Sequence, residues 1–157
     1  MLTEEMTFVA VKPDGVERGL VGEILLRLEQ KGLKITALKL LQVSDEQAKS
    51  HYSEHEGKSF YPRLIKYIQS GPIVAIAVKG YNAVENVRNI VGATNPTKAA
   101  AGSIRATFAQ VMEYNVIHAS DSLESAEKEI AIYFNKDEII DNWKTKTEEL
   151  IEEDELL

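Results

Sequence analysis

Apolar positions change period several times along the chain, and each change marks an element. "TFVAVK" (7–12) is apolar and β-branched, which predicts a short buried strand, ended by the turn "KPDG" with Pro13 second and Gly15 fourth. From Leu20 the spacing becomes helical through Val21, Ile24, Leu25 and Leu28, with Gly32 as the stop. "KITALKLL" (34–41) predicts a second strand. Ser44 and Gln47 match a capping box that opens a helix carrying Ala48, Tyr52 and His55 on one side. A shorter helix follows Tyr61, with Pro62 in its first turn and Leu64, Ile65 and Ile68 facing inward, and "SGP" (70–72) breaks it. "IVAIAV" (73–78) has almost no polar alternation, as expected of a central strand buried on both faces.

A helix from about Asn82 to Val91 uses Val84, Val87 and Val91 as its apolar stripe. From Gly92 to about Tyr114 no period is visible, and a loop that long in a compact domain is expected to be functional. Val116 and Ile117 predict a last short strand. Asp121 or Ser122 then caps a helix with Leu123, Ala126, Ile130 and Phe134 inward. The order reads β-α-β-β-α-β with inserted helices. The fold class is therefore α+β: a ferredoxin-like sandwich in which helices cover one face of a four-stranded antiparallel sheet, with the long loop 92–114 before the last strand. Residues 1–157 are expected to form a single domain. The acidic end "TKTEELIEEDELL" begins an extension from about residue 144, either a frayed helix or a segment that packs on a partner subunit.

Composition adds exclusions. Apolar residues make up 44% and charged residues 27%, ordinary for a globular chain. The net charge of −7 argues against nucleic acid as partner but leaves room for a small nucleotide held by a few local cations. No apolar run is long enough to cross a bilayer, and "MLTEEMTF" has no signal-like core, so a cytoplasmic location is expected. With no cysteine, thiol catalysis, disulfides and thiolate metal sites are excluded.

The chemistry centres on His118, at the end of the last apolar dipeptide. A neutral imidazole is a nucleophile near pH 7 without special activation. Glu129, eleven residues on, falls at the flank of the next helix's apolar stripe. There it could hydrogen-bond one ring nitrogen and leave the other free. Position alone leaves open that His118 is a buried structural histidine. His51 and His55 stand four apart, but "HYSEH" lacks the His-Glu-x-x-His order and shows no third metal ligand. Neither phosphate-binding glycine motif is present. Phosphates would have to meet scattered groups: Lys12, Arg88, Thr94 and Arg105. Phe60 is a candidate to stack on a base.

Taken together, "TFVAVKPDGVERGLVGEI", "HYSEHEGKSFYPRLIKYIQSGP", "VGATNP", "GSIRATFA" and above all "NVIHASDSLESAEKEI" resemble the nucleoside diphosphate kinase family, over about Thr7 to Phe134. The last string resembles its active-site signature. The resemblance implies Mg2+-dependent ping-pong transfer of a γ-phosphoryl from ATP or another nucleoside triphosphate to a nucleoside diphosphate, through a phosphohistidine and with little base specificity. It implies His118 as nucleophile and Lys12 with Asn115 near the ribose 3′-hydroxyl. Arg88, Thr94 and Arg105 would be on the phosphates and Phe60 on the base. Tyr52 would sit beside the histidine, with Ser120 and Glu129 orienting it. Mg2+ would ride on the phosphates with no direct protein ligand. The resemblance also implies a homo-oligomer, a hexamer first and a tetramer second. Ala119, Lys58, Tyr114, Ala101 and Ala106 stand where glycine, arginine, arginine, proline and glycine are common, and the C-terminal end departs from the family's shorter ends.

Overall fold

The computed structural model describes residues 2–154. Four strands, β1 (Glu4–Val11), β2 (Lys34–Leu41), β3 (Ile73–Tyr81) and β4 (Ile117–Ala119), form one sheet in the order β2-β3-β1-β4. Every pairing is antiparallel. The helices are α1 (Pro13–Glu17), α2 (Val21–Gln30), α3 (Asp45–His51), α4 (Tyr61–Ile68), α5 (Ala83–Val91), α6 (Ile104–Phe108), α7 (Leu123–Tyr133) and α8 (Lys146–Glu153).

Helices cover both faces of the sheet, where the sequence had suggested one. Because strand side chains alternate, Val9, Val11, Val74, Ile76 and Val78 point to one side. There they meet Ile24 and Leu28 of α2 and Val87 and Val91 of α5. Phe8, Ala10, Ile73, Ala75 and Ala77 point to the other and meet Ala48, Ile130, Tyr133 and Phe134. Two buried faces explain why 73–78 reads as an unbroken apolar run. The second face uses alanines at Ala10, Ala75 and Ala77, which lets α3 and α7 lie close to the sheet.

Several elements differ locally from the pattern reading. "KPDG" is the first turn of α1, with Lys12 as cap and Pro13 at the first helical position, where its missing N–H costs nothing. α3 has its Ser44–Gln47 capping box but ends at His51; Tyr52 leaves helical geometry and Ser53–His55 form a 3-10 turn. The buried residues of α3 are therefore Ala48 and His51, not the expected set of Ala48, Tyr52 and His55. In α5 the buried residues are Ala83, Val87 and Val91, with Val84 only half-buried. In α4 only Ile68 is fully buried. In α7 Leu123 is exposed, while Ala126, Glu129, Ile130 and Tyr133 are buried. The stretch 92–114 is not structureless: it holds α6, capped by the Ser103 hydroxyl, and 3-10 turns at 96–98 and 112–114.

Beyond α7 the chain follows the edge of β2. Thr36 bulges from the β2–β3 ladder, and its carbonyl accepts the Ile140 N–H at 2.8 Å. Lys34, 2% exposed, donates to the carbonyls of Asp141 (3.0 Å) and Trp143 (2.6 Å) and pairs with Glu148 of α8. Thr145 and Glu148 cap α8 reciprocally. The end expected to fray or to reach a partner thus lies on its own chain through Glu153; residues 155–157 fall outside the described residues.

Candidate active site

β4 pairs with β1 so that Ala10 faces His118. Ile117 and Ala119 then point into the α2/α5 core and His118 to the opposite side, above Phe8 (ring centroids 6.0 Å apart). His118 therefore sits inside β4, not after it. Ala119 does not need a left-handed backbone. Its methyl is buried in the core away from the histidine, so it leaves the ring's setting alone.

α7 packs on the histidine's side and brings Glu129 to it. His118 Nε2 and Glu129 Oε1 are 2.7 Å apart, and the Ser120 hydroxyl donates to the same oxygen at 2.5 Å. Burial would raise the Glu129 pKa, but the His118 hydrogen bond and charge, the Ser120 hydroxyl and His51 outweigh it and hold the carboxyl below the usual range. An ionised carboxylate only accepts, so Nε2 carries the proton and Nδ1 keeps its lone pair.

Behind the pair lies His51, which pattern reading undervalued. Its Nδ1 is 2.8 Å from the Tyr133 hydroxyl, and its ring meets His118 edge-on at 4.6 Å. Burial, then the nearness of His118 and Lys12, push its pKa down to about 3, so it is neutral at pH 7. His51 and His55 do not converge: His51 points inward and His55 lies near Phe60 at the cleft rim (5.4 Å). Nitrogen or oxygen atoms of His51, His118 and Glu129 lie within 4.8 Å of one another, but the His118 Nε2–Glu129 Oε1 pair is a direct hydrogen bond of 2.7 Å, shorter than the roughly 3.3 Å between neighbouring ligands of a tetrahedral zinc site.

Three cations converge on the open side. The Lys12 ammonium donates to Asn115 Oδ1 at 2.7 Å, and the Asn115 amide donates to the Thr94 carbonyl at 3.1 Å. Arg88 donates to the Ala119 carbonyl (3.2 Å), and Arg105 to the carbonyls of Gly92 (3.0 Å) and Ile117 (2.6 Å). Buried Arg105 Nε has no partner among the described residues. None of the three forms an ion pair with a carboxylate among the described residues. Burial and nearby Arg105 lower Lys12 to about 8, with Asp14 opposing them. Burial and nearby Arg88 lower Arg105 to about 10. Asp14 acts on Lys12 and Asp121 on Arg88 without a direct pair, and cations that lack a paired carboxylate disfavour one another until an anion arrives.

The cleft has two ends that share Lys12, Tyr52, Asn115 and His118. The cationic end, about 260 Å3, adds Arg88 and Arg105. The outer end, about 350 Å3, is walled by Phe60, Leu64, Met112 and Tyr114. Phe60 is 37% exposed at this mouth, and Thr94 borders both ends. Burial, then Glu129, push the Tyr52 hydroxyl up to about 12, so it stays protonated; its ring packs on His51 at 4.7 Å. Met112, Tyr67 and Asp14 were missed by pattern reading. Met112 carried a faint signal, an apolar residue in an otherwise polar irregular stretch.

Between Asn115 and His118 the backbone is strained. Val116 has φ 75°, and the Ile117 N–H donates to the Asn115 carbonyl at 2.8 Å, closing a γ-turn around a β-branched residue. Such a conformation costs roughly 1–3 kcal/mol and needs support from its surroundings. Support comes from α1: the Lys12 N–H donates to the Val116 carbonyl at 2.8 Å, and Asp14 Oδ2 accepts the Val116 N–H at 3.1 Å. Gly15 is required there, since a Cβ would stand 2.8 Å from the Val116 carbonyl oxygen.

A histidine with one nitrogen tethered and the other free, opposite cations with no direct ion pair among the described residues and below an aromatic-lipped cleft, defines a nucleotide-handling phosphotransferase on a ferredoxin-like frame. The chain belongs to the nucleoside diphosphate kinase family: the family model "Nucleoside diphosphate kinase" matches residues 5–139. Its activity is that of the family, phosphoryl transfer between nucleoside tri- and diphosphates. A nucleoside diphosphate kinase of Archaeoglobus fulgidus is 55% identical over 150 residues, covering 96% of this chain and 99% of the relative. One from Thermus thermophilus is 52% identical over 136 residues, covering 87% and 99%. Among solved structures, the halophilic enzyme of Halobacterium salinarum in complex with CDP superposes with a TM-score of 0.90 at 42% identity, covering 95% of this chain and 99% of that one.

Proposed function

We propose that His118 Nδ1 is the nucleophile of a two-step exchange. Its lone pair forms a P–N bond to the γ-phosphorus of a nucleoside triphosphate as the bond to the bridging oxygen breaks, and the diphosphate leaves. The Nε2 proton stays on the ring, held by Glu129, so no proton has to move in this half-reaction. A second nucleoside diphosphate then takes the phosphoryl from Nδ1 in the reverse sense. Phosphoryl transfer needs in-line positioning and neutralised equatorial charge more than covalent assistance. Arg88, Arg105, Thr94 and Lys12 supply the charge and donors, and Mg2+ arrives on the substrate's phosphates and adds to them.

In this reading Lys12 and Asn115 hold the ribose 3′-hydroxyl, and Phe60, with Met112 near it at the mouth, takes the base by stacking. A stacked face reads no base edge, which suits a broad nucleotide range. Tyr52 flanks the imidazole, and Ser120 and Glu129 orient it. The relative crystallised with CDP supports placing a diphosphate here. Residues 1–157 would act as one domain, in the cytoplasm, as a homo-oligomer of six or, second, four copies. The observation that carries the reading is the convergence of Lys12, Arg88 and Arg105, none of them in a direct ion pair among the described residues, on the free side of a tethered histidine. Incubation with γ-labelled ATP and Mg2+ should give an acid-labile, alkali-stable label that a second diphosphate removes, and His118→Ala should abolish it. Label persisting at wild-type level in that variant would overturn the mechanism.

A further inference from the structure

We infer that Asp14 is a positioning residue: clamped by the Tyr67 hydroxyl, it holds the strained turn at Val116 and so sets Asn115 and His118 against Lys12. The inference rests on the roles proposed above for Asn115 and His118. Asp14 lies on α1 and is not part of the cleft wall. Both of its carboxylate oxygens are committed: Oδ1 accepts the Tyr67 hydroxyl, and Oδ2 accepts the Val116 N–H at 3.1 Å.

Val116 sits between two functional side chains and adopts a backbone that a β-branched residue avoids. The Lys12 N–H grips its carbonyl from the same helix cap that presents the Lys12 ammonium. Turn, lysine and carboxylate therefore form one unit around α1. Tyr67 extends that unit to the cleft mouth. Its ring lies 5.9 Å from the Lys12 ammonium and packs edge-on against Tyr114 at 5.4 Å. Without the carboxylate, Val116 is free to relax to negative φ. That rotation would swing Asn115 away from Lys12 and shift His118 within β4, two residues on.

The test is the rate of phosphohistidine formation at saturating MgATP, measured with the nucleotide KM and the urea midpoint. Asp14→Ala should slow phosphorylation about ten- to hundredfold, the equivalent of losing the preference for the strained turn. Asp14→Asn should recover most of the rate, because its amide can accept from Val116 and donate to Tyr67. Tyr67→Phe, which removes a single hydroxyl and is the milder test of folding, should slow phosphorylation several-fold. Val116→Gly supplies a residue at ease with φ 75°. In that background Asp14→Ala should cost less than about threefold. Wild-type labelling with Asp14→Ala or Tyr67→Phe within about 1.5-fold of it overturns the inference alone, as does an equal Asp14→Ala loss with and without Val116→Gly. Absence of label on the wild-type protein would instead overturn the proposed mechanism.

Discussion

Replacing Glu129 by glutamine removes one charge and keeps the shape. The amide oxygen of the new side chain can still accept from His118 Nε2 and Ser120, whose distances to the carboxylate oxygen are now 2.7 and 2.5 Å. What is lost is the charge assistance. Attack on phosphorus draws electron density from Nδ1 and leaves the ring cationic, and a carboxylate stabilises that cation where an amide only accepts its proton. A hydrogen bond to a charged group contributes about 1.5–3 kcal/mol and a neutral one about 0.5–1.5. The difference, about 1–2 kcal/mol, is felt more in the transition state than in the ground state. It corresponds to a rate of phosphohistidine formation about 5- to 30-fold lower. Rapid mixing with γ-labelled MgATP, quenched in alkali, measures that rate directly. The urea midpoint should move little, since the hydrogen bonds persist. A rate within twofold of wild type would show that the carboxylate's charge plays no part. A fall beyond a thousandfold would show that Glu129 does something other than orient and stabilise the ring.

Two further predictions concern the other charged groups. Lys12, lowered to about 8 by burial and Arg105, loses its charge as pH rises through that value, so kcat/KM should fall on an alkaline limb near 8 that Lys12→Gln lacks. The stability sign is opposite: between about 8 and the unfolded value of about 10.4 the unfolded chain binds more protons at this site. Lys12 therefore adds stability with rising pH in that window, and a thermal midpoint difference between wild type and Lys12→Gln that shrinks only below pH 8 would refute the assignment. Lys34→Met should strand the Asp141 and Trp143 carbonyls and the Glu148 carboxylate. It should lower stability by about 3 kcal/mol in urea titration and raise hydrogen exchange in α8, with the cleft's activity at 25 °C retained; unchanged exchange in α8 would refute the docking role.

Much of the fold was legible because its elements bury one stripe or one strand run at a time. The 3.6-residue spacing of Val21, Ile24, Leu25 and Leu28 and the unbroken run 73–78 both gave elements where they were expected. Boundaries slipped where a local feature overrode the period. Tyr52 leaves the helix before its apolar pattern ends, and Pro13 opens a helix where a turn was expected. Glu129 could be placed at the flank of its helix by angle alone, yet its burial against His118 depends on how α7 lies across the sheet.

By itself the sequence determined the order of elements, the absence of thiol chemistry and the short list of reactive groups. All three follow from residue type and local spacing. Only the tertiary structure decided that both sheet faces are covered, that His51 rather than His55 backs the reactive imidazole, that the C-terminal helix lies along β2, and that Val116 is held at positive φ by Asp14 and Tyr67. Each of these is a contact between residues far apart in the chain. Their energies come from register and packing, which no local period records. Lys12, Arg88, Arg105 and His118 were visible one by one. It took the crossing of β1, α5, α6 and β4 to bring three cations to one imidazole.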